Sequence, residues 1–360
     1  MHRVRQKGTM KQGSVMAKRH VVWLFVACMA LSLIIACAPA QQKPEVNVVW
    51  PLPPDEPRVK FVDIFWSSLD IRKQAGVAEA IFGAEQVEGF TKPYGIAVDK
   101  EGRVYVTDVG RVMVFDLLNK TFSFIGKDPG VGQLRVPLGI AAASDGRLFV
   151  TDVAADRVFV YQNGRYSNAL GESGEFESPS GLCIDETRGL LYVADSRKHV
   201  ISVYSLTQNK LIRTIGSRGD EEGKFNFPTN IAVDPAGNIY VVDTGNFRVQ
   251  VFDAEGNFKR AFGKLGDAPG SLARPKGIGL DSEGHIYIVD AAFQNFQIFD
   301  QEGNILLFVG ENGAGPGKFY LPAGLTIDKN DRIYVVDQVP GSFQIFQYLG
   351  EKWKSTLQSK

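Results

Sequence analysis

Short runs of β-branched and aromatic residues alternate with Gly- and Asn-containing turns, and the pattern recurs every 43 to 48 residues. In the clearest unit, residues 228–263, four such runs are separated by turns. Each unit opens on a proline: Pro93, Pro137, Pro179, Pro228, Pro275 and Pro322. An aspartate follows the second run of each: Asp108, Asp152, Asp195, Asp243, Asp290 and Asp337. Six units of four runs predict an all-β fold, a six-bladed β-propeller with four-stranded antiparallel blades, because only neighbouring units can cover each other's apolar faces.

The repeated unit resembles the NHL repeat, in the pattern P-x-G-I-x-V-D followed by G-x-I-Y-V-x-D-x-x-N-x-R-V-x-V-F-D. Residues 228–263 match this pattern nearly throughout, and the resemblance covers about residues 90–348. The sequence contains no Trp-Asp dipeptide, which argues against the tryptophan-aspartate repeat propellers. The resemblance implies a closed ring of six blades.

The ring needs a closing strand, because the apolar sequence of the last unit ends at Tyr348 and a charged stretch follows. Residues 58–65 form a strand-like run before the first unit. We therefore expect this run to supply the outer strand of blade 6 and cover its edge. After Ser67 and Ser68, the spacing of apolar residues up to Gly83 predicts a short N-terminal helix.

The N-terminal segment has the pattern of an export signal. Residues 21–36 are apolar and uncharged, and Lys18 and Arg19 precede them. The segment ends in Ile-Ile-Ala before Cys37, which resembles the lipobox of bacterial lipoproteins and implies a lipid on Cys37; ordinary signal cleavage is the alternative. The expected organisation is a signal peptide at 1–36, a Pro-rich tether at 37–57, the propeller at 58–350 and a C-terminal tail at 351–360.

The net charge is zero, from 40 basic and 40 acidic residues, but the N-terminal segment and the rest of the chain have charges of opposite sign. Residues 1–36 hold six bases and no acid, so the remainder carries 34 bases against 40 acids. Nucleic-acid binding needs a basic face and is not expected of this exported, mildly acidic chain. Three cysteines are too few for a disulfide framework. The expected partners are a membrane, through the lipid on Cys37, and an unknown protein, peptide or glycan.

The six aspartates are expected to bind turn amides and, in three blades, an arginine. The predicted structural pairs are Asp108/Arg111, Asp152/Arg157 and Asp243/Arg248. In the other three blades Val200, Asn295 and Ser342 replace the arginine, so their aspartates are expected to lack that partner. This half of the loop face, where the turns after the aspartates lie, is therefore the predicted binding surface. Its residues are Asp195, Arg197, Lys198, His199, Asp290, Phe293, Asn295 and Asp337.

The residues that follow the six prolines are expected to approach the propeller axis: Tyr94, Leu138, Ser180, Thr229 with Asn230, Lys276 and Ala323. Propeller enzymes of the amidating-lyase or gluconolactonase type, with an axial metal, would be expected to present His, Glu or Asp there. This ring has none, so no catalytic residue, metal or cofactor is expected. Cys183 lies in an inner strand and is interpreted as a buried thiol.

Two functions follow as hypotheses. The preferred one is a non-catalytic scaffold, anchored by lipid on the periplasmic side of the outer membrane or at the cell surface, that binds a protein, peptide or polysaccharide through its loop face. The alternative is a metal-dependent hydrolase or lyase with its site at the axis. Its ligands would have to come from Asp195, Asp290, Asp337 and backbone carbonyls.

Overall fold

The structure, a computed structural model, describes residues 47–72 and 87–358. The expected signal, Cys37 and the first part of the tether lie outside the described residues. Each of the six units forms one antiparallel sheet, and the innermost strands follow one another around a closed ring. The predicted six-bladed β-propeller with four-stranded blades is confirmed.

The strands follow the order of the chain. Two precede blade 1: β1 (Val49–Trp50) and β2 (Val59–Phe65). Blade 1 contains β3 (Ile96–Val98), β4 (Arg103–Asp108), β5 (Arg111–Asp116) and β6 (Thr121–Ile125). Blade 2 contains β7 (Pro137–Ala142), β8 (Arg147–Asp152), β9 (Arg157–Gln162) and β10 (Arg165–Leu170). Blade 3 contains β11 (Pro179–Asp185), β12 (Leu190–Asp195), β13 (Val200–Ser205) and β14 (Leu211–Ile215).

The second half of the ring repeats this arrangement. Blade 4 contains β15 (Pro228–Val233), β16 (Ile239–Asp243), β17 (Arg248–Phe252) and β18 (Phe258–Phe262). Blade 5 contains β19 (Pro275–Leu280), β20 (Ile286–Asp290), β21 (Asn295–Phe299) and β22 (Ile305–Val309). A short parallel pair follows, β23 (Glu311–Asn312) and β24 (Lys318–Phe319). Blade 6 contains β25 (Pro322–Ile327), β26 (Arg332–Asp337) and β27 (Ser342–Tyr348).

The core is divided among the six seams between blades, with one hydrophobic cluster at each seam. Successive side chains of a strand point to opposite faces of its sheet, so one strand contributes to two seams. In β4, Val104 and Val106 pack against blade 6, while Tyr105 packs against blade 2. Removing any blade would therefore expose two apolar faces.

The N-terminal strand closes the ring as predicted. β2 pairs antiparallel with β27 and becomes the fourth strand of blade 6. The assignment of residues 37–57 to a tether is wrong at its end, because β1 pairs with β2 as a fifth strand. The Trp50 ring packs edge-on against Phe346 at 5.7 Å between centroids, so apolar burial draws this segment onto the sheet.

Most of the segment predicted as a short N-terminal helix lies outside the described residues. In the described part of residues 67–83 there is a single 3₁₀ turn, Asp70–Arg72, and residues 73–86 lie outside the described chain. The C-terminal tail forms a helix that the sequence analysis did not predict, α1 (Glu351–Gln358). Within the described ranges, no helix has the length and apolar character needed to cross a membrane.

Ring closure by β2 can be tested with two neighbouring substitutions. Phe61 is 5% exposed in the cluster between blades 5 and 6, whereas Val62 is 46% exposed on the same strand. Phe61→Ala should lower the free energy of unfolding by about 3–5 kcal/mol, because it leaves a cavity at the closing blade. Val62→Ala should change it by less than about 1 kcal/mol. Urea unfolding of both variants measures this, and equal midpoints would contradict the closing role of β2.

Candidate functional site

Buried aspartates organise the loop face, which comprises the residues that precede each blade's first strand and the turn after its second strand. The six aspartates at the ends of the second strands are at most 2% exposed. Each accepts backbone N–H groups from the connector that enters its own blade. The donors are Thr91 and Lys92, Arg135 and Val136, Glu177 and Ser178, Asn226, Ala273 and Arg274, and Tyr320 and Leu321.

Two of the three predicted Asp/Arg pairs form ion pairs. Arg111 Nη2 lies 3.2 Å from Asp108 Oδ2, and Arg248 Nε lies 2.9 Å from Asp243 Oδ2. The third prediction is wrong: Arg157 faces Asp152 in the strand register but donates to the carbonyl oxygen of Gly171. The Asp152 oxygens already accept four backbone N–H groups, so its charge is stabilised without arginine.

The prediction that Asp195, Asp290 and Asp337 belong to a binding surface is also wrong. These side chains are 0%, 0% and 2% exposed. Besides the connector amides, each accepts from the turn that follows it, through the amides of Lys198, of Ala292 and Phe293, and of Val339. Backbone amides therefore replace the missing arginine in these blades. The three carboxylates hold the loop face in place from beneath and are not available to a ligand.

The carboxyl group of Asp337 has a raised pKa. Burial raises the pKa of this carboxyl above its ordinary value of 3.8, and the amides of Tyr320, Leu321 and Val339 oppose the rise. Its nearest partners are amides, with no arginine among them. Backbone amides without an arginine therefore stabilise the carboxylate of blade 6.

Three further residues of the predicted surface differ in how far they are exposed to solvent. Arg197 is exposed. Lys198 is partly buried, and its Nζ donates to the carbonyl oxygens of Gly174 and Glu175. His199 is buried, its Nδ1 accepts the amide of Phe227 and its ring packs on that of Phe227. Histidine here supports the connector of blade 4, where Asp243 accepts one amide from the connector instead of two.

Phe293 and Asn295 belong to a different feature. They line a groove at the side of blade 5 together with Pro269 and Phe308. The Asn295 Oδ1 atom is buried and has no hydrogen-bond partner within the described chain. Phe293 and Asn295 therefore do not form one site with Arg197, although all three residues follow the aspartate of their own blade in the sequence.

The axial cavity has a volume of about 300 Å³ and is lined by the six innermost strands. Its lining is aliphatic, with Asn230, Cys183 and Thr326 as the polar side chains. Divalent metals require several carboxylate, imidazole or thiolate ligands, and this lining does not fit them. Burial raises the pKa of the Cys183 thiol above 9, which opposes thiolate formation.

The acidic residues and histidines of the described ranges form no group of three that could hold a metal ion. His285 lies at the opposite end of the propeller, in the turn before β20, where its Nδ1 is 2.8 Å from Asp281 Oδ2. This hydrogen bond raises the pKa of His285 above 6.5. The imidazole thus pairs with a carboxylate of its own turn, at the end of the propeller away from the loop face.

The cationic character of the axial entrance was missed in the sequence. Lys92 and Tyr94 flank the proline of blade 1, and Arg274 and Lys276 flank that of blade 5. The Lys276 Nζ atom lies 5.3 Å from the centroid of the Tyr94 ring. A comparison of the residues beside the opening proline in each blade could have identified this site, because a base recurs at that position.

The fold and the buried aspartates define a six-bladed β-propeller whose loop face is held by carboxylate–amide contacts. The family model for the SMP-30/gluconolactonase/LRE-like region matches residues 54–263. A model described as a 6-bladed β-propeller matches residues 281–356. The chain belongs to the SMP-30/gluconolactonase/LRE-like family.

Similar proteins share parts of this chain. Human NHL repeat-containing protein 3 is 34% identical over 83 residues, which are 22% of this chain and 24% of that protein. A probable peptidyl-α-hydroxyglycine α-amidating lyase of Caenorhabditis elegans is 34% identical over 89 residues, 24% of this chain and 25% of that protein. The chain thus spans about a quarter of the length of these relatives. The expected NHL-like character of the repeats is confirmed.

Solved structures share the fold at low identity. A protein of unknown function from Bacteroides thetaiotaomicron matches with a TM-score of 0.59 and 16% identity, over 74% of this chain and 71% of that one. Virginiamycin B lyase from Staphylococcus aureus matches with a TM-score of 0.53 and 14% identity, over 71% of this chain and 95% of that one. Identities this low establish the propeller architecture and no shared activity.

The structural role of the aspartates can be tested at Asp290. Asp290→Ala removes the acceptor of four backbone N–H groups and should lower the free energy of unfolding by roughly 3–5 kcal/mol, because buried unpaired amides are costly. Asp267→Ala, at an exposed position, should change it by less than about 0.5 kcal/mol. Urea denaturation compares the two. A stable Asp290→Ala protein would show that the carboxylate does not hold the connector.

Proposed function

We propose that this protein is an exported, lipid-anchored scaffold that binds a protein partner through its loop face without catalysing a reaction. The chief support is a set of large apolar side chains that the loop face leaves exposed. They come from blades 1, 2, 4 and 6: Val109, Val136, Phe227, Tyr320 and Val339, each between 40% and 48% exposed. Exposed apolar side chains that are grouped on one face are typical of protein-binding surfaces.

The positions of these side chains follow from the aspartates beneath them. Val136 and Tyr320 donate their backbone amides to Asp152 and Asp337, and Val109 follows Asp108 directly. Their backbones are therefore fixed while their side chains point away from the blade. A rigid backbone lowers the conformational entropy lost on binding. Aliphatic groups such as the valines favour a protein over a polysaccharide, which narrows the partner expected from the sequence.

The non-catalytic role rests on how the carboxylates are used. The aspartates that the alternative enzyme requires, Asp195, Asp290 and Asp337, accept backbone amides inside their blades. The axial cavity between them is aliphatic. No observation on the described residues favours the hydrolase or lyase alternative over the scaffold.

The partner surface can be tested with paired variants at the two ends of the propeller. Arg197→Glu combined with Tyr320→Ala changes exposed positions on the loop face, and Lys210→Glu combined with Leu118→Ala changes exposed positions on the opposite face. Crosslinking and affinity purification from native membranes should recover a partner with the unchanged protein and the opposite-face variant, at a yield at least about tenfold lower with the loop-face variant. Equal recovery with both variants would contradict the proposal.

The anchor has a separate test. The short hydrophobic signal ending at Cys37 supports a lipid at this cysteine, which would raise the local concentration of the protein near a membrane-bound partner. Cys37→Ala should move the protein from the membrane pellet to the soluble fraction. Cys183→Ala, at the buried thiol, serves as the control and should leave it in the pellet. Unchanged pelleting of Cys37→Ala would rule out lipidation at Cys37.

A further inference from the structure

Cations converge where the axial cavity opens on the loop face, a place that we call the mouth and define by Lys92, Tyr94, Arg274 and Lys276. Lys276 of blade 5 reaches over the Tyr94 ring of blade 1. Between these blades lies blade 6, whose equivalent residue is Ala323, and the small side chain leaves this approach open. Residues far apart in the sequence thus meet at one end of the axis.

The positive charge at the mouth has no carboxylate partner. Burial lowers the pKa of Lys276, and the neighbouring charges of Arg274 and Lys92 lower it further, with no acidic group to oppose them. Arg274 and Lys92 are exposed, and within the described ranges they form no ion pair. An anion that entered the mouth would be attracted by all three cations.

Two neutral hydrogen-bond donors lie at the same end of the axis. Burial raises the pKa of Tyr94 to about 12, so its hydroxyl keeps its proton at neutral pH, and no hydrogen bond to that hydroxyl occurs in the described chain. The Asn230 Nδ2 atom lines the cavity and is buried without a partner among these residues. Asn230 stands where the other five blades carry glycine, so this donor is particular to blade 4.

Acidic residues also recur at the opposite end of the propeller. On the opposite face the turn between the first two strands of every blade carries an aspartate: Asp99, Asp145, Asp185, Asp234, Asp281 and Asp328. Several of these carboxylates pair with arginines of the same turn, such as Arg103 and Arg147. The mouth differs from these turns because the charged neighbours of Lys276 are the cations Arg274 and Lys92.

We propose that the mouth binds a carboxylate of an acidic segment in the partner protein, an inference that rests on the proposed function. The Arg274 guanidinium can donate two N–H groups to a planar carboxylate in a bidentate geometry, and Lys276 adds a point charge. Stacking of a nucleic-acid base is disfavoured, because Lys276 already covers the Tyr94 ring. The exposed valines of the same loop face favour a protein segment over a free anion.

The test uses the purified full-length protein and a fluorescently labelled hexaglutamate peptide, with binding followed by anisotropy at low salt. Lys276→Met removes the charge but keeps an apolar stem over Tyr94, so it should weaken binding about tenfold or more. Lys210→Met removes one charge from the opposite face and should leave the affinity unchanged. The melting temperature of Lys276→Met should be at least that of the unchanged protein, because a repelled cation is removed.

Three outcomes would overturn the inference: no binding of hexaglutamate, equal affinity with and without Lys276, or tighter binding of inorganic phosphate or of an oligothymidine than of the peptide. The membrane capture experiment is independent of this assay. If a partner is captured through the loop face but hexaglutamate does not bind, the anion site is wrong and the scaffold function stands. If hexaglutamate binds at the mouth but no protein is captured, the proposed function fails and the measured anion site remains.

Discussion

Every blade depends on the contact between a buried carboxylate and the backbone amides of the connector that enters it. The second strand of a blade ends in an aspartate, and the connector folds back over it so that its N–H groups point at the carboxylate oxygens. Hydrogen bonds to a charged acceptor are about twice as strong as neutral ones. These bonds offset the free-energy cost of burying the carboxylate. In five blades the opening proline follows the donating residues directly, and in blade 4 Phe227 stands between them. The proline has no N–H group and cannot compete for the carboxylate.

This contact also determines which groups remain free for function. A carboxylate whose oxygens are occupied by amides is a poor metal ligand and a poor base, so the repeated aspartates build the loop face and do not act on a ligand. The residues that donate those amides keep their side chains free. Lys92 and Arg274 illustrate this: their backbones bind Asp108 and Asp290, and their side chains reach the mouth. The repeat thus fixes a constant frame, and the side chains at the donating positions can vary from blade to blade.

The sequence was sufficient for the architecture because the proline and the aspartate recur in every blade, and because residues 58–65 had no other sheet to join. The sequence did not predict which groups bind the aspartates. An Asp/Arg spacing is visible in the sequence, but a backbone amide is contributed by every residue except proline, so the amides that satisfy Asp195, Asp290 and Asp337 leave no pattern. The mouth was missed for a related reason. Lys92 and Lys276 are 184 residues apart, and ring closure alone makes them neighbours.

The seam between blades 6 and 1 is stabilised by a different type of contact from four of the other seams. At four seams a hydroxyl donates to a carbonyl of the next blade: Thr107 to Leu138, Thr151 to Ser180, Ser196 to Pro228 and Thr244 to Pro275. Blades 5 and 6 have no hydroxyl beside their aspartates. The closing seam relies on aromatic packing instead, with Phe343 stacked on Phe65 at 4.7 Å and edge-on to Phe115 at 5.1 Å. Since Phe65 belongs to β2, the strand that completes blade 6 also contributes an aromatic ring to the packing of the seam that closes the propeller.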